Sequence, residues 1–119
     1  RGGEMADINA EGTVVNVDMS SDGIRYTVEG SVGKYGRVFF THQLQPTHSE
    51  DSQGTMTGFA RTTTDDGGTV TAPLAGVWRR TGNCFKIYSL DDASNGDINY
   101  VDIDVDLGSK EVSIAVTHL

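Results

Sequence analysis

The 119-residue chain is poor in cysteine, proline, basic residues and long apolar runs, and each shortage excludes something. A single thiol, Cys84, rules out an intrachain disulfide, so core packing has to hold the fold. That fits a cytoplasmic protein, the expected location, and equally a secreted barrel without disulfides. No apolar run reaches the roughly 20 residues of a membrane-spanning helix, and no signal-peptide pattern is visible. Nine Lys and Arg against 17 Asp and Glu leave a net charge of −8. Without a basic stripe, neither a nucleic acid nor an anionic membrane surface is expected as a partner. No window carries helical periodicity, and the three histidines, His42, His48 and His118, lack metal-ligand spacing. There is no Gly-x-Ser-x-Gly elbow, P-loop or dinucleotide fingerprint, so no cofactor is expected.

What is abundant is threonine, valine and glycine in strand-and-turn order. Gly54 to Arg80 is the centre of that pattern: two threonine-rich runs flank Asp65-Asp-Gly-Gly68, a hairpin signal. Before it come Thr13–Met19, Ile24–Val32 and Arg37–Leu44; after it come Cys84–Leu90, Ile98–Leu107 and Val112–Leu119. Tight Asx/Gly turns separate most of them. Gln45 to Gln53 reads as a longer polar loop and a lid, and Pro73 as an edge, bulge or break. Both faces of Arg37–Leu44 carry an aromatic, Phe39 and Phe40, which predicts a strand covered on both sides. The eight segments predict one domain over residues 1–119, an all-β, eight-stranded antiparallel up-and-down β-barrel closed by its first and last strands. A two-sheet β-sandwich is the alternative. Residues 1–6 read as a flexible or appended tail.

Alternation places several residues that could do chemistry. His42 shares a face with Val38, Phe40 and Leu44, where an imidazole could exchange a proton or simply be a hydrogen-bonded core residue. Arg61 shares the phase of Thr55, Thr57 and Phe59; if that phase turns inward, the guanidinium needs an anionic or carbonyl partner. Tyr26, Phe40, Phe59, Trp78 and Tyr88 supply aromatic surface from five segments, as a ligand cavity would, or a solid core. Trp78 is expected inward, with Leu74 and Gly76, where its indole would report ligand entry. Asp91 to Asp97 half resembles a calcium loop, but Ala93 stands at a ligand position and a plain turn is the expectation, with no metal. Asp102, Asp104 and Asp106 form an acidic row on one strand face, which reads as solvated.

The meander of eight strands, Gly54-Thr-Met-Thr-Gly58 opening one strand and Gly76-Val-Trp78 in the next together resemble the small β-barrel superfamily of allene oxide cyclases, dirigent proteins and spirotetronate-type cyclases. Lipocalin-type barrels look similar. The resemblance implies a barrel that holds an apolar, oxygenated small molecule, and in some members steers its cyclisation. Three functions follow as expectations: a binding protein for a small apolar ligand with Tyr26, Phe40, Phe59 and Trp78 as its lining; a cyclase or isomerase using His42, Arg61 and Tyr88; or a structural module with a filled core. A homo-oligomer fits any of them.

Overall fold

Alternating inward and outward residues build eight strands in a computed structural model that describes residues 6–48 and 52–119. In chain order they are β1 (Ile8–Ser20), β2 (Gly23–Ser31), β3 (Arg37–Pro46), β4 (Gln53–Thr63), β5 (Thr69–Thr81), β6 (Cys84–Asp92), β7 (Ile98–Asp106) and β8 (Glu111–His118). Each pairs antiparallel with its neighbour, and β1 pairs with β8 from Ile8↔Val116 to Thr13↔Glu111, so the barrel is closed in up-and-down order. A 3₁₀ turn, Gly33–Tyr35, links β2 to β3. The expected tail lies outside the described residues except for Ala6. The expected lid is shorter than the sequence implied, because Gln45 and Pro46 end β3 and Gln53 opens β4; its centre lies outside the described residues.

The core is the inward phase of the strands: Tyr26 and Val28 from β2, Val38, Phe40, His42 and Leu44 from β3, Met56 from β4, Leu74 and Trp78 from β5, Phe85 and Ile87 from β6, and valines and isoleucines from β7 and β8. Glycine makes the curvature possible. A Cβ on Gly58 would lie 2.1 Å from the Thr41 carbonyl oxygen, and one on Gly76 1.8 Å from that of Tyr88. Those close backbone approaches let β4 and β5 bend around the interior.

Pro73 lies within β5, pointing outward opposite Phe59. It stands where one ladder stops: β5 pairs with β6 only from Leu74↔Asp91 onward, while residues 69–73 pair with β4 alone. A residue without an amide donor is tolerated there because no ladder bond is lost. The wall is therefore split between β5 and the β6–β7 turn, bridged by Ser94, whose amide donates to the Thr71 carbonyl (2.7 Å) and whose hydroxyl accepts from the Thr71 amide (3.0 Å). Beside that split lies the interior space described next.

Candidate functional site

Behind the split is a cavity of about 70 Å³, or about 630 Å³ when the solvent-open mouth is included. Its walls are mostly apolar, with Val38, Phe40, Ala72, Leu74, Ile103 and Ile114 among them, and Thr71, Asp91 and Ala93 stand at the mouth. A water needs about 10–15 Å³ measured this way, so the enclosed part holds a handful of waters or a molecule of comparable bulk. It is well below the roughly 300–1,000 Å³ of drug-sized pockets. The other end of the barrel is packed: Trp78 lies against Phe85, ring centroids 5.6 Å apart, and its Nε1–H donates to the Thr55 carbonyl at 2.9 Å.

Polar groups enter this apolar space at few points. His42 is fully buried, its ring tilted against Phe40 at 4.7 Å and hydrogen-bonded through Nδ1 to the Tyr26 hydroxyl at 2.9 Å. Burial pushes the His42 pKa down to about 3, so the ring is neutral, and burial pushes the Tyr26 phenol up. The pair is then a phenol O–H and a neutral imidazole. The O–H donates to Nδ1, because the reverse tautomer would strand the phenol hydrogen in the core. The remaining ring proton sits on Nε2, which is buried with no hydrogen-bond partner among the described residues, as is the Thr62 hydroxyl. Both residues line the cavity.

Opposite stand Ser89 and Asp91, on the inward phase of β6 set by Phe85 and Ile87. The Ser89 hydroxyl donates to Asp91 Oδ1 at 2.7 Å. Burial pushes the Asp91 carboxyl up to about 6, the serine bond only partly opposing it. One row of register partners runs across seven strands and carries most of the interior polar groups: Tyr26↔His42↔Gly58↔Leu74↔Asp91↔Asn99↔His118. A chain of hydrogen bonds runs from the cavity lining to the β6–β7 turn. His118 Nδ1 meets Asn99 Oδ1 at 2.6 Å, Asn99 Nδ2 donates to the Tyr35 hydroxyl at 3.0 Å, and that hydroxyl donates to Asp97. Lys34 Nζ lies 3.0 Å from the same carboxylate, and these contacts hold Asp97 down at about 2.

Of the residues expected from sequence, His42 and Phe40 line the cavity, and Tyr26 reaches it through His42. Trp78 faces inward as expected, 3% exposed, but in the packed end and away from the cavity lining. Phe59 and Tyr88 point outward, away from the cavity they were expected to line, and Arg61 takes the outward of its two possible phases, away from the site its catalytic role would need. The physical reason is crowding. Opposite the bulky Leu44, His42 and Phe40, β4 can present only Met56, Gly58 and Ala60, so Thr57, Phe59 and Arg61 take the outer phase. Tyr88 is out of phase with Phe85, Ile87 and Ser89 for the same strand-period reason. Phe39, expected under cover, is 47% exposed.

Sequence reasoning missed Thr62, Ser89 and Asp91 as cavity residues. The signal was there: continuing the Phe85, Ile87 alternation by two steps reaches Ser89 and Asp91. On the outer wall, Lys86 Nζ bridges Asp102 (2.7 Å) and Asp104 (2.9 Å), so the acidic row is partly neutralised. Among the described residues, no group of three or more His, Cys, Asp or Glu side chains is placed to hold a metal ion.

No family model, curated protein or solved structure matches the chain.

Proposed function

We propose that this barrel binds a small, largely apolar molecule bearing at least one oxygen, held in the cavity between β3–β4 and β6–β7. The observation that carries this reading is the pair of buried polar atoms, His42 Nε2 and Thr62 Oγ1, on an otherwise apolar lining. Each buried donor left unmet costs about 1–3 kcal/mol. An occupant that offers a carbonyl, ether or hydroxyl oxygen to either atom recovers that share of the cost, while a pure hydrocarbon does not. The ligand class matches what the resemblance to cyclase-type and lipocalin-type barrels implies. A thermal-shift panel tests it: small cyclic ketones and lactones should raise Tm saturably, and hydrocarbons of equal size should do so less. His42→Leu with Thr62→Val should erase that preference; equal shifts for both compound classes in the native protein would refute it.

A second reading, an isomerase or cyclase, draws on Asp91. A carboxyl raised to about 6 across a cavity from a neutral imidazole N–H suits proton transfer next to a carbonyl. The Asp91 carboxylate would take a proton from the carbon beside the carbonyl while His42 Nε2–H hydrogen-bonds the enolate oxygen. The same proton then returns to carbon, with no net redox change. Deuterium exchange into a bound ketone in heavy water, lost in Asp91→Asn, would support this step. Binding without exchange would leave a pure binding protein.

A further inference from the structure

Tyr35 closes the end of the barrel that holds the cavity. It belongs to the 3₁₀ turn between β2 and β3, and its hydroxyl reaches Asp97 in the β6–β7 turn and Asn99 at the start of β7. In a closed ring of eight strands those two turns stand opposite each other, so the side chain crosses the barrel mouth from rim to rim. Its ring is 7% exposed and lines the cavity. The backbone hydrogen bonds of the turn close on themselves. Val32 N–H donates to the Gly36 carbonyl (2.8 Å), Tyr35 N–H to that of Val32 (2.9 Å) and Gly36 N–H to that of Gly33 (3.1 Å). Among the described residues, none leaves the stretch from Val32 to Gly36. Two glycines bracket Lys34 and Tyr35, Gly33 at φ 50° and Gly36 at φ 71°, a region that glycine enters without steric cost. Side chains alone pin the turn down. Tyr35 O–H donates to Asp97, Asn99 Nδ2 donates to the Tyr35 hydroxyl at 3.0 Å, Lys34 Nζ lies 3.0 Å from Asp97 Oδ2, and the Ile8 side chain packs beside Gly33.

We infer that the turn from Gly33 to Gly36 is the lid of this cavity, pivoting on its two glycines, with Tyr35 as the seal and Asp97 and Asn99 as the catch that holds it shut. The lid presupposes that the cavity is a ligand site, and it supplies the way in. Tyr35 shares the cavity lining with His42 and Thr62, so an occupant that reaches their buried polar atoms through this end has to pass it. A hydroxyl that leaves a carboxylate at the rim exchanges it for water at small net cost, so the open lid is a minor but populated state. Closing it again shuts water out and strengthens the polar contacts inside. The split beside Pro73 is the rival route. It is held by a backbone bond, Ser94 N–H to the Thr71 carbonyl at 2.7 Å, in register with Leu74↔Asp91, and Ala93 beside it is buried. Opening the split breaks sheet, whereas opening the lid breaks contacts at the ends of side chains.

Xenon exchange NMR tests the lid, because xenon enters apolar cavities and, having no oxygen, is indifferent to the ligand preference proposed above. In the native protein xenon should exchange slowly between water and the cavity. Tyr35→Phe keeps the ring but cuts both hydroxyl contacts, and should speed exchange roughly tenfold, the scale of one charge-assisted hydrogen bond. Asp97→Asn should speed it less, since the amide oxygen still accepts from Tyr35 but no longer holds Lys34 by charge. The two changes together should give less than the product of their separate effects, because they act on one catch. Ser94→Ala, which removes a hydroxyl at the split, should leave the rate unchanged. Unaltered Trp78 emission, from the packed end, shows that each variant is folded. If ketones fail to outdo hydrocarbons in the thermal-shift panel while xenon still exchanges faster in Tyr35→Phe, the ligand preference falls and the lid stands. An unchanged rate in Tyr35→Phe, no bound xenon in either protein, or equal acceleration by Ser94→Ala would overturn the lid.

Discussion

Replacing Asp91 by asparagine should stabilise the protein at neutral pH, and the size and pH window of that gain follow from where the carboxylate sits. Burial raises its pKa from an ordinary 3.8 to about 6. The folded state therefore binds a proton more tightly than the unfolded chain, and between about pH 4 and pH 6 stability falls as pH rises. The full cost of ionising this group in the folded state approaches 3 kcal/mol by the usual 1.36 kcal/mol per unit. Solvent at the cavity mouth reduces that to about 1–2 kcal/mol. Asparagine keeps an acceptor for the Ser89 hydroxyl, now 2.7 Å from Asp91 Oδ1, and carries no charge to desolvate. Asp91→Asn should then raise Tm on the order of 5–10 °C at pH 7.5, with the two proteins converging below pH 4. Calorimetry from pH 3 to pH 8 reads both features. Equal or lower stability of the variant at pH 7.5, with parallel pH profiles, would refute a desolvated Asp91 and weaken the proton-transfer reading with it.

Gly58→Ala should cost about 1–3 kcal/mol in urea unfolding, since its Cβ would meet the Thr41 carbonyl oxygen at 2.1 Å and a sheet backbone has little room to give. Trp78 emission should be blue-shifted yet indifferent to cavity ligands, because the indole is 3% exposed but does not line the cavity; a saturable intensity change on ligand addition would place the ligand at the packed end. Lys86→Ala should cost less than about 1 kcal/mol, with the difference shrinking in high salt, as expected for a surface bridge to Asp102 and Asp104.

The barrel was legible because strand periodicity and turn chemistry repeat eight times and agree with one another. β7 shows it best: Asn99, Val101, Ile103 and Val105 are buried, and the acids alternate with them. The first half of β1 was not legible. Ile8 to Gly12 alternates apolar or small residues with polar ones, and it is a strand because β8 needs a partner to close the sheet. The site was half legible. His42 announced itself on an apolar strand face, and Trp78 was placed inward correctly. Arg61, Phe59 and Tyr88 were attractive by residue type, but their phase is decided by the bulk across the barrel, which no single strand records. Asp91 was hidden by the turn-like residues that follow it, so its phase with Ile87 and Ser89 was overlooked.

The central claim is that His42 Nε2–H and Thr62 Oγ1 anchor an oxygen-bearing ligand inside the barrel. The most direct measurement is nitrogen-15 NMR of the His42 ring during titration with cyclopentanone, and with cyclopentane as the matched hydrocarbon. The ring should be neutral across pH 5–8 and protonated at Nε2, and its Nε2–H resonance should move saturably with the ketone and stay put with the hydrocarbon. For a molecule of that size, affinity near millimolar, about −4 kcal/mol, is expected. A ring protonated at Nδ1, or an Nε2–H resonance that answers neither compound while the barrel remains folded, would contradict it.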